Sequence, residues 1–496
     1  MTADRDPAGR GEVLMEDGGA CGPDGSSTMP GSAHRLRWHQ MFFLAMGVPG
    51  TVFTLFGYTL GAVGTIAAIA LWTLAALVAL LQNHLWARLA EKFRYRNGGL
   101  AMFAAEGWKR RAPIAAPVAA MGYWLAWVIT PAVMTKIAAS FILGRWFPHL
   151  DWCLGLGPLM LGPGNGLAIG ILCLFALLNL RGIEAISSLA WLSGISLLVP
   201  IGLCLAAPFV VPGWSVAHRL SDPLAGVALA TQARTLLAWM FAVCASVYAS
   251  EMTFSFAEEY RSPRDMRRAG LSVGLFSLAV FATVPIGLAG LIDSAAFAAN
   301  PAAAFVDLFA RIVPVSFGAD LIVAILVANL VITTSAAIAD SGRSLCASAR
   351  EALVPRQFAS LNRHGVPHVA ICFGLVLDIV LLAIDAPPVG MIATGTIGYM
   401  TATVLALSTV IVAGPFAGEA RERAWLAVTM VLLLLNLTLL GVGISSLSLT
   451  GFGGWREAVF GIMALLSSVP FFHLRQGQER SLAGAAALAR ADGPVT

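Results

Sequence analysis

Twelve apolar runs, most of them long enough to cross a bilayer, dominate this sequence, and they leave few options for its fold. They lie near 39–62, 64–88, 113–144, 165–181, 184–211, 233–257, 269–292, 319–342, 367–385, 389–413, 423–446 and 455–474. A spanning helix needs about 20 mainly apolar residues. Inside lipid, backbone polar groups must be satisfied within the segment, which leaves helices and closed barrels. Runs of this length predict helices. Only 12% of the residues are charged and 58% are hydrophobic, against roughly 25% charged in an ordinary soluble domain. The expected fold is an all-α polytopic membrane protein with about twelve transmembrane helices.

Charge distribution predicts the orientation. Of the 31 Lys and Arg residues, 25 fall on the face that carries the N-terminus. Five, Arg145, Arg219, Arg234, Arg311 and Arg456, fall on the opposite face, and Lys136 lies within a span. The positive-inside rule then places both termini in the cytoplasm and the chain in the cytoplasmic membrane. Residues 1–37 are rich in Gly, Asp, Ser and Pro, have no signal-peptide core, and read as a disordered cytoplasmic tail. Residues 38–475 form the transmembrane domain, and 476–496 a cytoplasmic C-terminal tail.

Two spans are interrupted at corresponding places. The first carries Gly47-Val48-Pro49-Gly50-Thr51 in mid-span, where Pro removes a backbone donor and Gly lowers helix propensity. The sixth carries small and polar residues from Ala245 to Glu251. Breaks five spans apart are the mark of an inverted repeat with a binding site near the bilayer midplane, although Pro and Gly also occur as simple kinks in membrane helices.

Several motifs resemble those of the amino acid-polyamine-organocation (APC) transporters, from about residue 40 to residue 415. Glu251 followed by Glu258-Glu259-Tyr260-Arg261-Ser262-Pro263 is similar to that family's acidic residue and EE-x-[KR]-[NS]-P sequence at the end of span six. Arg343, Ala349, Arg350 and Pro355 resemble its loop after span eight. Asn179-Leu180-Arg181-Gly182 with Pro200, and Tyr123-Trp124-Leu125-Ala126, are further matches. The resemblance implies two inverted five-helix repeats plus two helices, with an amino acid or related amine held between the broken spans. It implies that Gly47, Val48, Pro49, Gly50 and Thr51 match the family's glycine-rich break, whose bare backbone N–H groups receive a substrate carboxylate. Pro49 and Ala249 depart from the usual glycine pattern. Ala245, flanked by Cys244 and Ser246, stands where relatives have a bulky aromatic, and the resemblance implies either room for a larger substrate or a lid supplied instead by Tyr248.

Charged residues inside spans carry the remaining signals. Glu251 lies about 22 Å from the outer face of a core about 30 Å thick, and intramembrane carboxyls commonly line polar pathways or relay protons. It is the candidate proton-coupling residue; the alternative is a neutral carboxyl bonding to backbone freed by the break. Lys136 lies near the outer interface, where it can snorkel or pair with Asp293 or another acid. The basic clusters around Arg94, Lys109 and Arg267 abut spans and suit orientation and anionic lipid, not nucleic acid. Gly98-Gly99 reads as a turn. No Walker sequence or HExxH motif is present, the seven cysteines are spaced singly, and the eight histidines lie near span edges. The sequence therefore predicts no enzyme, no metal and no cofactor. A secondary transporter, by proton coupling or exchange, is the leading class; a substrate sensor on the same fold is the alternative.

Overall fold

A computed structural model describes residues 36–93, 98–182, 194–216, 220, 222–291, 301–313, 316–412 and 420–491. Ten of its helices are long and apolar enough to cross a membrane. They coincide with every expected span except the fifth and ninth, which are represented by the shorter apolar helices Gly194–Val210 and His368–Ala383. The protein is thus an all-α, multi-pass membrane protein. Several boundaries move outward: span four begins at Pro163, the first helical position, where a missing N–H is tolerated. The last helix runs from Ser468 to Ala491, past the expected boundary at 475.

Burial sorts the spans. Spans three (Ala115–Trp146), six (Leu229–Glu259) and ten (Pro388–Val412) are each 67% buried over their most apolar stretch, whereas the last, Trp455–Leu482, is 17% buried. Span three is the central post and packs against spans eight (Phe317–Arg350) and ten. Glycine allows its closest approach: a Cβ on Gly122 would lie 2.5 Å from the Gly398 carbonyl oxygen of span ten. Such small-residue contacts are how membrane helices gain packing without a hydrophobic drive between them. Because Tyr123 and Tyr399 follow those two glycines, the contact also sets their rings side by side, with centroids 6.3 Å apart.

Among the described residues, short elements also connect the spans. A helix, Gly99–Trp108, precedes span three; a two-stranded hairpin pairs Leu154–Leu156 with Leu159–Leu161; and a helix, Pro301–Ile312, follows span seven. At the hairpin end of span three, Lys136 donates to Asp385 Oδ1 and to the Ala386 carbonyl, both at 2.7 Å. Lys136 therefore has an acid partner on the turn after span nine; Asp293 lies outside the described residues. Arg145 pairs with Asp320 at 2.6 Å nearby.

Candidate functional site

Span one is divided into a helix Trp38–Ala45, a 3-10 turn Val48–Thr51 and a helix Val52–Val63. The chain is tightened here into a 3-10 turn. Gly50 N–H donates to the Gly47 carbonyl at 3.0 Å, and Thr51 Oγ1 donates to the Val48 carbonyl at 3.0 Å. The reason lies in Pro49: its ring holds φ in the helical range while removing one donor, so the segment closes on i→i+3 bonds. Gly47, Val48 and Thr51 are half-buried, while Pro49 and Gly50 are buried. A Cβ on Gly50 would lie 2.8 Å from Leu197 Cδ2 and 3.3 Å from Asn329 Oδ1. The turn is therefore backed by spans five and eight.

Span six is α-helical from Leu229 to Tyr248 and then continues as 3-10 helix over Ala249–Glu259, with non-helical dihedrals at Phe256. Its break thus begins at Ala249, later than Ala245. Ala245, Ser246 and Ala249 are half-buried while Val247 and Tyr248 are buried. Positions i, i+1 and i+4 share one helical face, so the two broken spans show the same pattern: Gly47, Val48 and Thr51 in one, Ala245, Ser246 and Ala249 in the other. The helix of span six packs against the 3-10 turn of span one. Tyr248 is packed in the core, with its hydroxyl beside Cys244. The accessible face of span six is therefore lined by small side chains.

Glu251 follows two residues into the 3-10 segment and is 1% exposed. The hydroxyls of Tyr123 and Tyr399 face its carboxyl, yet neither oxygen reaches hydrogen-bonding geometry. Tyr123 Oη lies 3.3 Å from Ser255 Oγ, and Asn83 of span two donates to Ser250 Oγ at 3.0 Å. The glycine pair before span three closes the cluster. Gly98 and Gly99 both have left-handed backbone, φ 114° and 54°, and Gly98 N–H donates to the Ser255 carbonyl at 3.1 Å. A Cβ on Gly99 would lie 2.5 Å from Ser255 Oγ and 3.6 Å from Glu251 Oε2. Gly99→Ala combines a left-handed alanine with that overlap, and a cost of about 1–2 kcal/mol is expected from the backbone alone. Its thermal midpoint should fall below that of the parent while membrane insertion persists; an unchanged midpoint would show that the glycine pair does not brace Glu251.

The remaining motifs have structural work. Ser262 caps the helix that starts at Pro263, accepting the Asp265 N–H at 3.2 Å, and Tyr260 Oη donates to the Thr253 carbonyl at 3.0 Å. Asn179 Nδ2 donates to Ser335 Oγ at 2.9 Å, tying span four to span eight. Past Pro355, Phe358 is buried against Phe373 and Phe471.

Sequence reasoning missed Tyr399, Ser255, Asn83 and Asn329. Tyr399 was detectable by scarcity: the chain has only six tyrosines, and three, Tyr123, Tyr248 and Tyr399, lie together beside the break of span six. A buried acid in span nine, Asp378, was also passed over; it is 2% exposed, and its Oδ1 makes no hydrogen bond among the described residues.

The sequence matches the family model described as amino acid permease over residues 36–444. No curated protein matches it. The matched region takes in both broken spans, the glycine pair, Glu251 and both facing tyrosines. This is a family of membrane transport proteins and not of enzymes, and its members handle amino acids or related amines. With its apolar helices, its two 3-10 breaks and this match, the chain belongs to the amino acid permeases of the APC superfamily.

Proposed function

We propose that the protein is a secondary transporter that moves an amino acid or related amine across the cytoplasmic membrane, by proton coupling or exchange. The observation that carries this reading is that spans one and six are both interrupted by 3-10 segments, that the helix of span six packs against the 3-10 turn of span one, and that each span presents a half-buried i, i+1, i+4 face at its interruption. Their positions five spans apart suit two inverted five-helix repeats followed by two further helices, both termini being cytoplasmic.

In this reading the substrate carboxylate meets the backbone of Gly47, Val48, Pro49, Gly50 and Thr51, and the rest of the molecule lies against Ala245, Ser246 and Ala249. Tyr248 shapes the site from within the core. Opening the 3-10 turn would expose N–H groups at the start of the helix Val52–Val63, which favours an anion. Substrate itself would thus stabilise the opened turn.

Glu251 is the proton-coupling group. A protonated carboxyl offers one O–H donor, whereas an ionised one only accepts. Tyr123 and Tyr399 must turn to donate to the ionised form and can accept from the neutral one. Protonation is thereby linked to how spans three, six and ten fit together.

A panel of amino acids, polyamines and amines tests substrate class through thermal stability. A ligand binding only the folded state stabilises it by about 2.7 kcal/mol at a hundred times Kd. A rise in midpoint with at least one amino acid or amine is expected; no shift across the panel would count against the reading. Ala245→Trp should exclude bulky ligands and leave small ones bound as well or better, because the accessible face of span six then carries a large ring. Equal stabilisation of both proteins by every ligand would show that Ala245 faces elsewhere.

A further inference from the structure

The strongest unassigned feature is a recess of about 400 Å³ at the N-terminal end of span one, between that helix and the start of span seven (Pro263–Ala289). Arg37, Arg261 and Arg268 line it, with His39 and Trp38 beside them. The local backbone fixes this grouping. Leu36 pairs with the strand-like turn at Tyr260, its N–H donating to the Glu259 carbonyl and its carbonyl accepting from Arg261 N–H, both at 2.9 Å. Arg37 and Arg261 are thereby brought to the same rim. One carboxylate, Asp265, lies in the recess, but Ser262 Oγ donates to it at 2.7 Å and Trp38 N–H reaches it at 3.4 Å. Three guanidinium groups against one carboxylate leave a clear excess of positive charge.

The same two helices carry an apolar groove away from the recess. One turn beyond His39, Phe43 and Leu44 are exposed; beyond Arg268, Leu271 and Leu275 are exposed. Residues three or four apart lie on one side of a helix, so these apolar side chains continue the recess toward the membrane interior. The rings of Phe42 and Phe276 meet edge to face, 5.6 Å between centroids, and close the groove between the helices. The basic recess, Trp38 at its edge and these exposed apolar side chains all lie on the two packed helices.

We propose that this surface is a binding site for one anionic phospholipid, its phosphate held by Arg37, Arg261 and Arg268 and its acyl chains lying along Phe43, Leu44, Leu271 and Leu275. The planar guanidinium fork matches phosphate geometry. Basic pockets between membrane helices select anionic headgroups in this way. The occupant would bridge span seven and the half of span one that precedes the Gly47–Thr51 turn, and so hold that half-helix in its present position. This assignment requires that spans one and seven cross the membrane, and it stands apart from the transport reading.

The test uses the purified full chain in a neutral detergent. Its thermal midpoint is measured with added phosphatidylglycerol, with phosphatidylcholine of the same acyl chains, and with soluble glycerol phosphate. Phosphatidylglycerol alone should raise the midpoint, and R37Q/R261Q/R268Q should lose that response. Affinity for phosphatidylglycerol, read by native mass spectrometry, should fall about fivefold for each arginine removed. Should the triple variant fail to insert, the single exposed-site variant R268Q supplies the same affinity reading. Equal responses to both lipids, or unchanged affinity in R268Q, would overturn the site. A shift with glycerol phosphate as large as with the lipid would show a free-anion site and overturn the lipid assignment.

Discussion

Glu251→Gln is expected to keep substrate binding and to lose accumulation driven by a pH gradient. The substitution fixes the side chain in a neutral, hydrogen-bonding form of nearly the same shape, so packing among spans three, six and ten should survive. What disappears is the change of state. An ionisable carboxyl switches between donor and acceptor towards Tyr123 and Tyr399, whereas an amide does not change with pH. An intramembrane carboxyl in contact with a helix break can bias the protein toward one open face when protonated and toward the other when ionised. Substrate affinity, read from thermal shift, should stay within about threefold, a change below 1 kcal/mol. The inside-to-outside concentration ratio in liposomes, which should exceed unity for the parent under a pH gradient, should fall to unity for the variant. Gradient-driven accumulation with the parent's pH profile in Glu251→Gln would make Glu251 a structural carboxyl.

Gly50→Leu should abolish substrate binding without abolishing insertion into the membrane. The Cβ alone would sit 2.8 Å from Leu197 Cδ2 and 3.3 Å from Asn329 Oδ1. Leu197 is flexible at that atom, so Gly50→Ala should be tolerated with a shift of a few tenths of an ångström. The further three carbons of leucine have no such escape, because spans five and eight both back the turn. Overpacking of this kind costs roughly 1–3 kcal/mol and displaces the segment whose N–H groups are to meet the carboxylate. Binding more than a hundredfold weaker, with Gly50→Ala within about tenfold of the parent, is the expected pattern, since 1.4 kcal/mol corresponds to tenfold in affinity. Full affinity in a well-inserted Gly50→Leu protein would remove span one from the site.

Much of the fold was legible because membrane solvent writes strongly in sequence. Runs of apolar residues between charge clusters located a helix for each expected span, including the short ones at Gly194–Val210 and His368–Ala383. Breaks were legible as positions but not as conformations. Pro49 announces a missing donor, yet the bond from Gly50 N–H to the Gly47 carbonyl that closes the turn as 3-10 helix is visible only in the structure. In span six the run of small residues suggested an earlier interruption, but Ala245 and Ser246 are good enough helix residues for the α-helix to continue to Tyr248. The setting of Glu251 was only half visible. Its place in an apolar run marked it, whereas Tyr399 and Gly99 approach it from segments about 150 residues away on either side, and nothing local in their sequence signals that meeting. Asp378 and Asn329 did stand out as polar residues in apolar spans, and equal weight on every such residue would have found them.

Movement of substrate across a sealed membrane is the most direct test. Purified protein is reconstituted into liposomes preloaded with the amino acid or amine that gives the largest thermal stabilisation. Entry of the same labelled compound is followed with and without an imposed pH gradient, against protein-free liposomes. Saturable entry of label, altered by the gradient, is the expected result. A protein that is stabilised by the compound yet passes no label in either condition would contradict transport and identify a sensor built on a permease fold.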